Sequence, residues 1–423
     1  MIFENTIEFA KQLDEQDTLK SFREKFYIPF INGKDSIYFT GNSLGLQPKT
    51  TQDYVVNELE DWANFGVEGH FHARKPWLSY HEIFAEQLAK VVGALPEEVV
   101  AMNQLTVNLH FLMVSFYRPS KQRYKIICEA KAFPSDQYAI ESQIKFHGFT
   151  PADAIIEVAP RAGEYSLRTE DILSAIQQHS NETALILFGG VNYYSGQVLD
   201  MESITKAAHA AGITCGFDLA HAVGNVELKM HEWDVDFACW CSYKYLNSGP
   251  GGVSGVFINK RHIDNKDIPR FAGWWGHTKE TRFKMEKGFE PIPTAEGWQV
   301  SNAPVLSMAA HKASLDIFEE AGLSNLFAKG QLLSDYLLFI LNDINAGSTE
   351  KLIEVITPAN AKGCQVSMLM LKKGKEIFEA LKQNGVLADW REPNVIRVAP
   401  VPLYNTFTDV FLFGQIISKM LSV

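Results

Sequence analysis

The chain has 423 residues, 46% of them hydrophobic and 21% charged, and a formal net charge of −11. This is ordinary globular composition, long enough for two domains or one large domain with a smaller partner. The acidic balance excludes nucleic acid as an expected partner, because Lys121, Arg123 and the pair Lys372 and Lys373 are too few to make a basic patch. No apolar run approaches the ~18 residues of a membrane span. The opening residues are charged throughout, unlike a signal peptide, so a cytoplasmic location is expected. Five cysteines, few and odd in number, read as reduced core thiols. Cys239 and Cys241 share a strand face, but no second Cys or His pair completes a metal site, and no metal is expected.

The first 35 residues read as helical and peripheral. Ile37 to Phe39 reads as a short strand entering a Gly41-Asn42-Ser43-Leu44-Gly45 loop, and Pro48 precedes an amphipathic helix. Glycines in so tight a loop serve either a plain turn, which spacing favours, or close approach of backbone to a ligand. Phe65 to Trp77 is short of helix signals and reads as a loop. Its Phe65, Phe71 and Trp77 suggest that it lies against a partner subunit or a substrate. Tyr80 to Val92 reads as an amphipathic helix. Val99 to Met102 reads as a strand, followed by a polar turn carrying Thr106 and an apolar helix through Tyr117. That order makes either a phosphate cradle, with free N–H groups facing an anion, or a helix merely capped by Thr106.

Lys125 to Glu129 reads as the next strand, and Phe133, Pro134 and Asp136 open a helix to His147. Ala184 to Phe188 runs into Gly189, and Asp200 to Ala211 is helical. Two further apolar runs follow, each too short for a helix. One ends on Asp218, with His221 three residues on; the other, Val235 to Cys241, ends on Ser242-Tyr243-Lys244. Strands alternating with helices predict a mainly parallel sheet, and ligands collect at the carboxyl ends of its strands. Phe133, Gly189, Asp218 and Lys244 all fall there. An acid and a lysine on neighbouring strand ends suit pyridoxal phosphate, which needs a lysine for covalent attachment and a carboxylate for its pyridinium nitrogen. The bland alternative is a buried ion pair.

Beyond a strand from Val253 to Asn259, an aromatic, Gly- and Pro-rich stretch from Phe271 to Pro304 far exceeds the usual ~4–6 residues of a loop, which marks it as functional or interfacial. Helices are expected over Val305 to Glu320 and Leu326 to Asn342. Leu352 to Ile356, Cys364 to Leu371, Gly374 to Gln383 and Val395 to Ala399 then suggest a smaller α+β domain. The expected division is 1–50, packing with the small domain, 51–305, the large α/β domain, and 306–423, the small one. Arg397, between Ile396 and Val398, is either an edge-strand charge or a carboxylate clamp.

The segments YFTGNSLGLQPK, LTVNLH, AKAFPSDQYAIESQ, DLAHAVGNVELKMHEWDVDFACWCSYKYLNSGPGG, GWWGHTKETRF and VIRVAPVPLYN closely resemble the kynureninase family, over nearly the whole chain and in the family's order. The resemblance implies a fold-type-I α/β enzyme that uses pyridoxal 5'-phosphate to hydrolyse L-kynurenine or its 3-hydroxy derivative. The products would be L-alanine and an anthranilate, in tryptophan breakdown or nicotinamide-ring synthesis. It implies Lys244 as the lysine that carries the cofactor, Asp218 as the pyridinium partner with His221 beside it, and Phe133 as the stacking ring with Asp136 on the same loop. Leu105 and Thr106 match the phosphate turn, and Tyr243 matches a phosphate-linked tyrosine serving as an acid. Trp274 and Asn302 match residues that the second subunit of a homodimer contributes. Arg397 matches the substrate-carboxylate clamp, while His70, Ser43 and Asn302 match the polar set of members favouring 3-hydroxykynurenine. Gly189 departs from the pattern, standing where relatives tend to have serine, so any hydroxyl contact there is either lost or replaced by a backbone N–H. Among rival readings, a cysteine desulfurase would need an exposed nucleophilic cysteine, and none of the five qualifies. An aminotransferase stays open on chemistry alone. A cofactor-binding protein without turnover is opposed by Lys244, Tyr243 and Arg397 occurring together.

Overall fold

The computed structural model describes residues 2–422. Seven strands build the main sheet: β1 (Val99–Ala101), β2 (Lys125–Glu129), β3 (Ile155–Val158), β4 (Thr183–Gly189), β5 (Thr214–Asp218), β6 (Phe237–Cys241) and β7 (Ser254–Ile258). Their order in space is β1-β7-β6-β5-β4-β2-β3. Pairing is parallel from β6 through to β3, and only β7 runs against its neighbours. Strands β6 and β7 are buried at every position, which is why these runs are apolar throughout instead of alternating.

Helices cover both faces. They comprise α1 (Ile7–Gln16), α2 (Thr51–Phe65), α3 (Ala85–Val92), α4 (Leu105–Phe116), α5 (Pro134–Phe146), α6 (Thr169–Gln178), α7 (Met201–Ala210), α8 (Val305–Ala321), α9 (Leu323–Ala346), α10 (Gly374–Gln383) and α11 (Phe407–Leu421). The two-residue period of a strand divides the core. Ile127, Ile186, Phe188 and Trp240 pack with α3, α6, α7 and α8, whereas Ile126, Leu185, Leu187 and Cys239 pack with α4 and α5 on the other face. All five cysteines are unpaired and buried.

A second sheet, entirely antiparallel, orders β8 (Ile353–Val355), β9 (Val366–Met370), β10 (Asp389–Arg391) and β11 (Val395–Val398) as β8-β9-β11-β10. Its core takes residues of α9, α10 and α11, together with Ala10 and Leu13 of α1 and Phe39. Arg397 therefore lies on an interior strand, and its reading as an edge charge is corrected. The N-terminal segment is also less peripheral than expected. Asp14 accepts hydrogen bonds from Phe407 N and Thr408 N at the start of α11, at 2.6 and 3.1 Å, and Ile37–Tyr38 pairs in parallel with Val386–Leu387.

The stretch from Phe65 to Trp77 is mostly helical turns (Gly66–Glu68 and Gly69–His72), not an open loop, and Trp77–Phe84 is a 3₁₀ segment leading into α3. Before it, α2 presents an unexpected face to the protein. Glu58 and Asp61 are buried, while Val56, Leu59, Trp62 and Phe65 are exposed. The inward acids have work there: Trp77 Nε1 and Tyr80 OH each donate to Glu58 at 2.9 Å, and Arg74 N donates to Asp61 at 2.7 Å. Strand β3 was not anticipated from sequence. It is the last strand of its sheet and buries only Val158 fully, so its apolar signal is weak.

Candidate active site

The parallel register sets Gly189 opposite Asp218 and Asp218 opposite Cys239, so β4 and β5 finish level and β6 runs on past them to Cys241. A cleft with about 520 Å³ of space opens there. It gathers Leu105, Thr106, Phe133, Asp136, Gly189, Asp218, His221, Tyr243 and Lys244. All were predicted from sequence, and they come from separate strand ends and the helix starts that follow. Glu129 also lines the cleft and was not predicted, although an acid ending an apolar run was the same signal that singled out Asp218.

Lys244 Nζ lies 2.9 Å from His221 Nε2. Burial first, then the charges of Lys244 and Arg397, hold the His221 pKa well below its usual value. The imidazole is thus neutral, Nε2 accepts from the lysine, and the ring proton sits on Nδ1, which is buried without a partner among the described residues. Asp218 accepts from Ala220 N at 2.6 Å. Burial raises its carboxyl, with Lys244 pulling the other way. Asp136 is raised further, by burial and then by the Asp218 charge. Two buried carboxyls in contact share a proton. Tyr243 is likewise raised by burial and stays a phenol.

Glu129 is fully buried. Gly189 N donates to its Oε1 at 3.3 Å and Asn192 Nδ2 to its Oε2 at 2.8 Å. Burial pushes this carboxyl up to about 7 against those two hydrogen bonds. A Cβ at position 189 would come within 2.8 Å of Glu129 Oε1, so a larger residue there would require the end of the Glu129 side chain to shift. The Gly189 N–H is turned to Glu129, which favours loss of the hydroxyl contact over its replacement by this N–H. Gly45 is explained by close approach too, since a Cβ there would lie 2.3 Å from the Lys244 carbonyl oxygen. The loop is a turn, closed by Ser43 N and Leu44 N on the Thr40 carbonyl at 2.8 and 3.0 Å, and what its second glycine approaches is the backbone of Lys244.

Helix α4 begins at Leu105, with Gln104 as N-cap and no side-chain cap. Thr106 is inside the first turn, so its reading as a cap is overturned, and the first-turn N–H groups face the cleft with the positive end of the helix. A different pocket, of about 840 Å³, collects His70, Trp274 and Asn302 with Phe71 and Phe283. The loop bearing Trp274 and Asn302 is tied to the segment after His70 by charge. Glu296 meets His81 at 2.8 Å and Lys279 at 3.1 Å, and Lys279 also reaches Glu82 at 2.9 Å. Ser43 is exposed and lines neither pocket. Arg397 stands just behind the cleft wall: it is buried and donates to the Tyr193 carbonyl and to Asp389, with Nε unpartnered among the described residues.

This donor set fits pyridoxal phosphate. The amine of Lys244, two buried carboxyls at the cleft floor short of positive charge, an unpartnered His221 Nδ1, an uncapped helix start and the half-exposed Phe133 ring each meet one part of that group.

Comparison with known proteins agrees. Residues 326–417 match the kynureninase C-terminal domain. The chain is similar to the kynureninases of Christiangramia forsetii (58% identity, covering 99% of both chains), Myxococcus xanthus (51%, covering 97% of this chain and 96% of the other) and Nematostella vectensis (50%, covering 96% and 92%). Among solved structures, a cystine C–S lyase in complex with cysteine persulfide aligns at TM-score 0.74 and 16% identity, covering 90% of this chain and 97% of that one. The cysteine desulfurase CsdA of Escherichia coli aligns at 0.75 and 13%, covering 96% and 98%. These two share the fold. The likeness in length and sequence to the kynureninases goes further, and the chain belongs to the kynureninase family.

Proposed function

We propose that this cleft hydrolyses L-kynurenine, 3-hydroxy-L-kynurenine or both, releasing L-alanine and anthranilate or 3-hydroxyanthranilate, with pyridoxal 5'-phosphate as cofactor. The observation that carries it is Lys244 Nζ held 2.9 Å from a neutral His221 in a cleft floored by the Asp218 carboxyl. When bound, pyridoxal phosphate supplies the electron sink that lets bonds at the substrate's Cα and Cβ break. Asp218 offers the negative charge that keeps a ring nitrogen protonated. The first-turn N–H groups at Leu105 and Thr106 hold a phosphate. Lys244 would carry the cofactor and, as a free amine, would be the base that moves the Cα proton. Tyr243, a phenol at neutral pH, would give its proton to Cβ as the Cβ–Cγ bond breaks and the aromatic acid leaves. Arg397 grips the substrate carboxylate with the donors that Tyr193 and Asp389 leave over.

His70, Trp274 and Asn302 complete the cleft of a second copy in a homodimer. What supports this is that they share a pocket separate from the one around Lys244, on a surface carrying exposed Trp62, Val67, Phe71 and Phe283. Ser43, His70 and Asn302 favour the 3-hydroxy substrate. The division proposed is 1–50, 51–305 and 306–423, with α8 as a link that still packs into the core of the main sheet through Met308, Leu315 and Phe318. Among the described residues no helix is long and apolar enough to cross a membrane, which supports a cytoplasmic location. Purified protein loaded with pyridoxal phosphate should show a visible band bleached by borohydride and release an anthranilate from kynurenines. Cofactor binding without release would refute the activity. A higher kcat/KM for unsubstituted kynurenine would refute the substrate preference.

A further inference from the structure

Glu129 is a third acid in a cleft that already holds Asp136 and Asp218, and the chemistry above gives it nothing to do. Burying another carboxyl beside two others is costly, so its geometry needs a reason. Both oxygens accept hydrogen bonds, one from Gly189 N and the other from Asn192 Nδ2. That pairing fixes which way the Asn192 amide faces. With Nδ2 committed to Glu129, Oδ1 is free to accept from Tyr194 N at 3.0 Å, Ser195 N at 2.9 Å and Ser195 Oγ at 3.1 Å. The turn is closed by Asn192 N to the Gln197 carbonyl at 2.8 Å.

The outer side of this turn faces the second sheet. The Tyr193 carbonyl accepts from Arg397 Nη1 and from Gln365 Nε2, the latter at 3.0 Å, and the Tyr194 carbonyl accepts from Ser367 Oγ at 2.7 Å. The Tyr193 ring meets the Phe133 ring edge-on at 5.2 Å. One amide, oriented by Glu129, thus shapes the turn that sets both a wall of the cleft and one of the two anchors of the Arg397 guanidinium.

We propose that Glu129 is a positioning residue for substrate capture, acting through Asn192 and the Tyr193 carbonyl to hold Arg397 in register with the cleft. This rests on the reading of Arg397 as the carboxylate clamp. A glutamine at 129 cannot serve both neighbours: with its oxygen on Gly189 N, its Nε2 meets Asn192 Nδ2, donor against donor. Changing Asn192 to Asp in the same chain reverses the polarity and satisfies both contacts again, while the other oxygen of the introduced carboxylate still accepts from the turn.

The test compares E129Q, N192A, the double variant E129Q/N192D and R397K as holoenzymes. Steady-state kinetics on kynurenine are read beside the pyridoxal phosphate Kd of each apoenzyme and its thermal midpoint. Expected is a KM about tenfold or more higher for E129Q and N192A, with kcat and cofactor Kd within about threefold. The double variant should return KM to within about threefold of the parent. An unchanged KM in E129Q overturns the proposal. So does a raised KM that the double variant fails to restore while its midpoint matches the parent. Should E129Q not fold, N192A decides by the same KM criterion. R397K with an unaltered KM refutes the clamp itself, whereas R397K raised and E129Q unaltered refutes only the role of Glu129.

Discussion

In the proposed chemistry, Lys244 and Asp218 divide the work of the cleft by burial and charge. The lysine faces a neutral histidine, and the aspartate lies against a second buried carboxyl whose pKa is raised by burial and by the aspartate's charge. Lys244→Ala should abolish both turnover and the borohydride-sensitive band. Asp218→Ala should leave a buried ring cation uncompensated and weaken cofactor binding by about 3–5 kcal/mol, read as the pyridoxal phosphate Kd; an unchanged Kd would remove the aspartate from that role. A second buried group has a stability consequence. His311 stacks on Phe84 at 5.6 Å and 11°, and neither ring nitrogen has a partner among the described residues. Burial, then the Lys312 charge, takes its pKa down to about 3. Since the folded value lies below the unfolded ~6.5, the unfolded chain takes up the proton first, and stability falls as pH drops from 6.5 towards 3. Between pH 8 and pH 5 this histidine should cost about 2 kcal/mol. His311→Leu should narrow the gap between urea midpoints at the two pH values; an undiminished gap would exonerate it. The acid and lysine that end two apolar runs were legible in sequence because few bland roles suit them there. The fit of Gly189 against Glu129 was not, because the two come from different strands and meet only when those strands pair.

Helix α2 shows where periodicity misleads. Its amphipathic pattern is real, but the side that a hydrophobic-face rule would bury is exposed, and Glu58 and Asp61 point inward to receive Trp77, Tyr80 and Arg74. Glu58→Ala leaves the Trp77 Nε1 and Tyr80 OH donors unpaired, which should cost about 2–4 kcal/mol in urea unfolding. A cost below about 0.5 kcal/mol would mean that water replaces the carboxylate at no loss. The β5 and β6 strands were readable because both faces of each are covered, leaving unbroken apolar runs. The turns after Phe65 were not, since Gly66–Glu68 and Gly69–His72 are too short to show a helical period. Thr106 misled in another way: a threonine near a helix start is usually its cap, and here the cap position belongs to Gln104.

At the level of the whole molecule, the separation of the His70, Trp274 and Asn302 pocket from the Lys244 cleft gives the proposed dimer a decisive test. Lys244→Ala and Asn302→Ala subunits should each be nearly inactive alone. Mixed, unfolded and refolded together, they should recover about a quarter of parental activity, because half the dimers are hybrids with one intact site. No recovery would place all the site residues in one subunit. The main sheet and the smaller antiparallel sheet were legible from the change of pattern after Asn342, whereas this partition between pockets is invisible to spacing. The five buried thiols carry a last consequence. Burial raises all of them, Cys128 and Cys364 to about 12, so an aromatic disulfide reagent finds no thiolate in the closed protein. Each sulfur it consumes marks an opening of the fold, which makes colour release a clock for unfolding. Adding pyridoxal phosphate should slow that clock in proportion to its occupancy, so the protein reports cofactor loading without any substrate being turned over.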